Sequence, residues 1–257
     1  MKNPTNLFKA ALKNRRHQIG IWNTIGGNTV PELLGGAGFD WVLVDCEHAA
    51  IETVEVLPAL QAIATNPQVS AIVRPADNDA TMFKRILDMG AQTLLVPYVQ
   101  TAEDATQAVQ AMRYGPHGVR GMAGMTRATR YGQVDDYHRI ASDELCLILQ
   151  IETVQGLQNL EAIAQIEGVD AIFIGPADLS ASMGLPGQVA HPDVMSAIYD
   201  AIDRLKRIDV PVGLMALDPE IAQAFMTYGV SFTAVGVDLV MLADSVKSLR
   251  QTFESPS

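Results

Sequence analysis

The chain has 257 residues, 48% of them hydrophobic and 18% charged, with 2 cysteines. This composition excludes a long disordered chain, a collagen-like repeat and a disulfide scaffold. Lys and Arg total 18 against 29 Asp and Glu, a net charge of −11, which argues against nucleic acid or an anionic membrane as partner because counterion release needs a basic surface. The plain role of the excess acid is solubility.

Met1 to Asn14 holds no apolar run long enough for a signal peptide, and no stretch approaches the ~18 apolar residues of a membrane span. Gln18–Asn23 reads as a first strand. Asp40–Asp45 is the second, entered through Gly36-Ala37-Gly38, a helix end followed directly by a strand. Ser70–Pro75 is the third, and Thr93–Val99, entered through Gly90-Ala91, the fourth. A helix over Ala102–Met112 follows, with Thr101 as N-cap and Glu103 and Asp104 in the electropositive first turn. Arg113–His138 is an irregular stretch rich in Gly and Arg; a loop of that length is usually functional or an interface element.

Cys146–Glu152 is the fifth strand, followed by a helix over Leu157–Ile166 and a sixth strand over Ala171–Pro176. Pro192–Lys206 is helical, with Val194, Ile198, Ile202 and Leu205 at helical spacing. Val210–Ala216 is the seventh strand, Pro219–Tyr228 a helix ending at Gly229, and Phe232–Asp238 the eighth strand. Trp41-Val42-Leu43-Val44, Leu147-Ile148-Leu149 and Ala171-Ile172-Phe173-Ile174 are continuous apolar runs, as expected of parallel strands buried on both faces. Eight strands alternating with helices over this length predict an α/β chain forming one (β/α)8 TIM barrel across residues 1–257. A doubly wound open sheet is the alternative that strand counting leaves open.

Barrel enzymes work at the carboxyl ends of their strands. Those ends carry Asp45-Cys46-Glu47-His48, Arg74, Gln150-Ile151-Glu152, Gly175-Pro176-Ala177-Asp178 and Asp238. Glu152 and Asp178, at the ends of neighbouring strands, suit a hard divalent cation such as Mg2+ or Mn2+, which takes oxygen ligands and keeps positions for water or substrate; the alternative is that they cap the next helices. His48 follows a strand directly and can move protons near neutral pH; the alternative is a loop His satisfied by Glu47 or Asp45. Arg74 ends an apolar strand, where a guanidinium needs an acid or a bound anion. It is either a clamp for a developing oxyanion or a structural partner of Glu47 or Asp45. The six Lys, at 2, 9, 13, 84, 206 and 247, close no strand, which disfavours Schiff-base chemistry. Cys46 and Cys146 show no CxxC or Cys/His metal spacing and are expected to be free thiols, consistent with the cytoplasm.

Several segments together resemble the HpcH/HpaI aldolases, in order from about Phe8 to Phe253. They are Ala37-Gly38-Phe39-Asp40-Trp41, Asp45-Cys46-Glu47-His48-Ala49, Val73-Arg74-Pro75, Leu94-Leu95-Val96-Pro97, Arg113-Tyr114-Gly115-Pro116-His117-Gly118-Val119-Arg120-Gly121, Gln150-Ile151-Glu152-Thr153, Ile174-Gly175-Pro176-Ala177-Asp178-Leu179-Ser180 and Ala234-Val235-Gly236-Val237-Asp238. The resemblance implies a barrel of the phosphoenolpyruvate/pyruvate superfamily. The implied activity is class II, metal-dependent, reversible cleavage of a 4-hydroxy-2-oxo acid, such as 4-hydroxy-2-oxoheptanedioate, to pyruvate and an aldehyde such as succinate semialdehyde. Cleavage of a 2-keto-3-deoxy sugar acid (glucarate or L-rhamnonate type) is the alternative, and a citryl/malyl-CoA type thioester lyase is a more distant one.

By the same resemblance Glu152 and Asp178 hold the metal (Mg2+ or Mn2+, with Co2+ or Zn2+ as further candidates). Gln150 and the backbone at Ala177 and Asp178 hold the substrate, His48 is the acid/base, Arg74 faces the enolate oxygen, and Asp45 supports the metal's waters or His48. Asp88 reaches His48 across a subunit interface, so the partners are a small 2-oxo acid, an aldehyde and further copies of the chain, as a hexamer. Trp22 and Leu214 match positions lining the pocket; the loops Ile25–Thr29 and Met122–Thr129 depart from the family pattern and are expected to shape its aldehyde side. Cys46 stands where the family pattern has Gly.

Overall fold

A computed structural model describes residues 1–253. Its strands are β1 (Gln18–Asn23), β2 (Trp41–Asp45), β3 (Ser70–Arg74), β4 (Thr93–Val96), β5 (Cys146–Ile151), β6 (Ala171–Ile174), β7 (Val212–Met215) and β8 (Phe232–Val237). Each pairs in parallel with the next, and β8 returns to β1, closing a barrel. The closed order decides against the open sheet. Most strands stop one to three residues short of the sequence expectation. The runs end in residues that leave the ladder for the rim: Pro75 and Pro97 have no N–H to donate, and Tyr98 takes a left-handed φ of 56°.

The continuous apolar runs are explained by two cores. Side chains facing inward, among them Trp22, Trp41, Leu43, Ile72, Leu95, Ile148, Phe173 and Phe232, fill the barrel. Their neighbours facing outward, such as Val42, Val44, Leu94, Val96, Leu149, Ile172 and Leu214, pack under the helices. The inner rings need small residues opposite: a Cβ on Gly20 would stand 2.0 Å from the Trp41 ring, so Gly there makes room for the indole. Helix Leu7–Lys13, which the hydrophobic pattern did not reveal, plugs the bottom of the barrel. Phe8 meets Phe232 edge to face at 5.2 Å, and Asn6 caps the helix by accepting from the Lys9 N–H at 3.0 Å.

The helices Ala102–Met112 and Pro219–Tyr228 match their sequence bounds, and Pro192–Arg207 extends one residue further. The expected helix Leu157–Ile166 begins earlier and is broken, Val154–Gln158 then Leu160–Ala164. Asn159 leaves helical geometry between them (φ −98°, ψ 10°), and its side-chain amide donates to the Gln100 carbonyl at 2.8 Å.

Chain direction sorts the molecule into two rims. Strand ends and the loops after them form one. Helix Ala80–Asp88 runs back from it, so Asp88 reaches the other rim, beside the strand starts. The irregular stretch after Met112 lies there too: Arg127 and Arg130 line a cleft with Ser70 and Thr93, the first residues of β3 and β4. The last helix, Asp238–Gln251, leaves Leu239, Met241, Leu242, Val246 and Leu249 each more than half exposed. Among the described residues no helix is long and apolar enough to cross a membrane.

Candidate active site

The pairing register sets Asp45, at the end of β2, opposite Arg74, at the end of β3. The Arg74 guanidinium forks onto Asp45: Nε donates to Oδ1 at 2.8 Å and Nη2 to Oδ2 at 2.7 Å. Its remaining nitrogen, Nη1, pairs with Glu47 at 2.8 Å and lies 3.5 Å from Gln150 Oε1. The guanidinium sits 5.2 Å from the centroid of the Trp22 ring, whose Nε1 donates to Asp45 Oδ2 at 3.3 Å. Burial alone would push the Asp45 carboxyl up. The hydrogen bonds and charge of Arg74, with the N–H groups of Glu47 and His48, outweigh it and hold Asp45 below the usual carboxylate value. Asp45 also shapes the turn that follows. Its Oδ1 accepts from the Glu47 N–H at 3.1 Å and the His48 N–H at 3.4 Å, which delivers His48 to the rim with its side chain 61% exposed and Nε2 3.8 Å from Glu47 Oε1.

Glu152 follows β5 and is buried. Its Oε1 accepts from the Tyr98 N–H at 2.8 Å, and its Oε2 accepts from the Gln150 amide. Glu152 caps no helix, because Thr153 does so by accepting from the Gly156 N–H at 3.0 Å. Gly175, after β6, is pressed against it: a Cβ there would meet Glu152 Oε2 at 2.8 Å. Pro176 then opens helix Pro176–Ser182 with Asp178 in its first turn and Ala177 exposed at the rim.

The acids of three strand ends act on one another. Burial pushes Glu152 up to about 7; the Gln150 amide and Tyr98 N–H oppose this, and the charges of Glu47 and Asp178 add to it. Burial likewise pushes Glu47 up to about 7, against the pull of Arg74, with Asp45 and Asp178 adding. Glu47, Glu152 and Asp178 thus crowd negative charge into one opening that Arg74 only partly balances. Among the described residues no three His, Cys, Asp or Glu side chains form a ready-made metal cage.

A family model described as HpcH/HpaI aldolase/citrate lyase matches residues 18–245. The chain belongs to the HpcH/HpaI aldolase family. This HpcH/HpaI enzyme is an aldolase, a carbon–carbon lyase. It is 53% identical to a pyruvate aldolase of Rhizobium etli over 98% of this chain and 99% of that one. It is 47% identical to a hydroxypyruvate/pyruvate aldolase of Sagittula stellata, covering 96% of this chain and 97% of the relative. Identity is also 47% to a 4-hydroxy-2-oxo-heptane-1,7-dioate aldolase of Klebsiella pneumoniae, over 96% and 94% of the two chains. The crystal structure of an HpcH/HpaI aldolase/citrate lyase family protein from Burkholderia cenocepacia superposes with a TM-score of 0.93 at 35% identity, covering 98% of this chain and all of that one.

In this HpcH/HpaI enzyme Asp45, Arg74, Gln150, Glu152 and Trp22 meet in one hydrogen-bonded group, with Asp178 within electrostatic reach. Both pairings weighed for Arg74 from sequence are made at once. Two expectations fare differently. Leu214 is fully buried, facing the outer layer under the helices, so it does not line the opening; strand alternation turns its neighbour Met215 inward instead. Met122–Thr129 lies at the far rim, tied to the end of helix Ala80–Asp88 by Ala128 N–H to Asp88 O at 3.2 Å and Arg127 to Met89 O at 2.8 Å, and so does not border its own chain's opening. Asp88 is at that rim as well, across the barrel from His48 of its own chain, and pairs with Arg120 at 2.8 Å; the contact expected of it is with His48 of another copy.

Glu47 is the residue that sequence reasoning passed over, seen there only as a partner for others. The available signal was an acid set between Asp45 and His48 at a strand end. Cys46 is half-buried, packs against the outer core, and is pushed up to about 12 by burial and by Asp45, so it adds a neutral thiol to the turn.

Proposed function

We propose that the chain is a divalent-metal-dependent class II pyruvate aldolase that reversibly cleaves a 4-hydroxy-2-oxo acid to pyruvate and an aldehyde. The observation that carries this is the convergence of Glu47 and Glu152 beside Arg74 at the carboxyl rim, with Asp178 within electrostatic reach of both acids. An all-carboxylate set whose members repel one another, with Glu152 pushed up to about 7, fits a hard cation that would relieve that repulsion. Glu152 and Asp178 are the residues that would hold it, as Mg2+ or Mn2+. When bound, the ion would supply a Lewis acid for the 2-oxo acid group.

The chain's own residues then divide the work. The free amides at the start of helix Pro176–Ser182, around Ala177 and Asp178, offer hydrogen bonds to the substrate carboxylate, and Gln150 fixes the 2-oxo group. His48 takes the C4 hydroxyl proton. The C3–C4 bond breaks, C4 and its oxygen leave as the aldehyde carbonyl, and the bonding pair moves through C3 onto the C2 oxygen. Arg74 faces that developing charge and is held for the purpose by Asp45, so its favourable interaction grows as the bond breaks. Protonation of C3, with His48 returning the proton, completes pyruvate.

Among substrates, 4-hydroxy-2-oxoheptanedioate, giving succinate semialdehyde, is the reading that follows the Klebsiella relative's name, and the loop after β1 would form the aldehyde side. Further copies of the chain belong to the proposal. The apolar side chains left exposed on helix Asp238–Gln251 would be covered in a homo-oligomer, for which we propose a hexamer, with Asp88 of one copy reaching His48 of another. Two free thiols among the described residues are in keeping with a cytoplasmic setting. Pyruvate release coupled to lactate dehydrogenase, over a panel of 4-hydroxy-2-oxo acids and with or without EDTA, tests the reading. Metal-dependent pyruvate formation is expected, and chelator-resistant turnover would overturn it.

A further inference from the structure

Asp88 is built as carefully as the residues of the opening, yet it touches none of them. Arg120 Nη2 donates to Asp88 Oδ1 at 2.8 Å, and the Arg120 side chain is 0% exposed against 23% for Asp88. The guanidinium lies 4.4 Å from the centroid of the Tyr114 ring. Tyr114 is itself buried, its hydroxyl pushed up to about 12 by that burial. Backbone bonds fix the segment: Arg120 N–H to Arg113 O at 2.9 Å, Val119 N–H to Gln110 O at 2.9 Å and His117 N–H to Tyr114 O at 3.1 Å. Asp88 is gripped from a second side by the Ala128 N–H on its carbonyl.

A guanidinium taken wholly out of water is costly unless a counter-charge compensates it, and Asp88 is the acid it meets. The arrangement therefore holds Asp88 with Oδ1 occupied by Arg120. Oδ2 accepts no hydrogen bond from the described residues. Val119, Met122, Met125 and Tyr131, on the same segment, are all more than half exposed, an apolar surround suited to being covered by protein.

We propose that Arg120 is a positioning residue: it pins one oxygen of Asp88 so that the other is presented, at this apolar rim, to His48 of a second copy. This rests on the reading that Asp88 serves His48 between copies. Within one chain the two stand at opposite rims, so only another copy can bring them together.

The test is complementation in mixed assemblies, made by co-expressing two differently tagged variants and purifying on both tags. His48→Ala with Asp88→Ala should regain turnover, because a site can then combine His48 from one chain with Asp88 from the other. If they do not, the between-copies reading fails and the role of Arg120 fails with it. Arg120→Met alone should lose about 10- to 100-fold in kcat with little change in KM, the cost expected when a working group is misplaced by about an ångström. Arg120→Lys, which keeps a charge beside Asp88, should recover part of the loss and guards against a variant that does not fold. In mixed assemblies Arg120→Met should be rescued by His48→Ala chains and not by Asp88→Ala chains. Rescue by Asp88→Ala chains, or none by His48→Ala chains while the first pair complements, would overturn the role of Arg120 and leave the reading of the site standing.

Discussion

Arg74→Met separates what the Asp45–Arg74 pair does for the fold from what it does for turnover. Met keeps much of the side-chain volume and removes the fork. Asp45, 1% exposed, then loses two charge-assisted hydrogen bonds at 2.8 and 2.7 Å and becomes a buried charge with only backbone and indole donors. Breaking a buried pair from one side costs about 3–5 kcal/mol, which for a chain of this size is a fall in Tm of roughly 6–20 °C. The loss should depend on pH. With Arg74 present, Asp45 sits below its usual value, so the pair's stabilisation is present at neutral pH and fades only in strong acid, below 3.8. Without Arg74, burial raises Asp45 instead. The variant then favours the protonated acid, and its deficit should shrink between pH 7 and pH 4.5. Thermal unfolding at the two pH values measures this. In the pyruvate-release assay turnover should fall 10²–10³-fold, the usual cost of losing one preorganised oxyanion donor. Adding Asp45→Leu to Arg74→Met should recover most of the stability and none of the activity. A deficit under about 2 °C, one independent of pH, or near-normal turnover in the folded variant would refute the reasoning.

Other consequences follow from the crowded acids. In chelated protein, Glu47 and Glu152, both pushed up to about 7, favour the folded state when protonated, so Tm should drop as pH rises from about 5 to 8; a flat or rising Tm would contradict those shifts. Saturating Mn2+ at pH 8 should restore the lost stability by at least about 2.7 kcal/mol at a hundred times its Kd, and scanning calorimetry with and without metal reads it. Gly175→Ala puts a methyl 2.8 Å from Glu152 Oε2. Mn2+ affinity should fall about 10- to 100-fold, as when a ligand's support is lost, and Tm of the metal-free protein should also fall, because the new methyl stands 2.9 Å from Glu152 Cβ as well and overpacking a buried site costs about 1–3 kcal/mol. Calorimetric titration that finds unchanged affinity would mean Glu152 does not hold the ion.

The fold was legible because parallel strands buried on both faces leave continuous apolar runs, and because Thr101, Pro192, Pro219 and Gly229 punctuate the helices with backbone-level signals. Helix Leu7–Lys13 escaped because its contribution is mainly one ring, Phe8, set into the barrel floor, which leaves little periodicity to read. The barrel also explains what of the site could be foreseen. Asp45 and Arg74 close strands, Glu152 directly follows one and Asp178 lies in the helix turn after another, and a closed sheet brings strand ends together. What remained hidden was set by orientation and direction. Leu214 sits on the strand's outward face, a one-residue question of alternation. Met122–Thr129 follows a helix that runs away from the opening, so adjacency in family pattern does not give adjacency within one chain. Glu47 lies two residues past the strand end, where only the turn built on Asp45 turns it toward Arg74.

Direct titration of Mn2+ into metal-free protein, followed by its electron paramagnetic resonance signal, tests most directly whether Glu152 and Asp178 share an ion. One tight site per chain is expected in the unaltered protein, with affinity weakened at least tenfold in both Glu152→Gln and Asp178→Asn. Mn2+ binding of unaltered strength in either variant would show that these two strand ends do not meet on a metal.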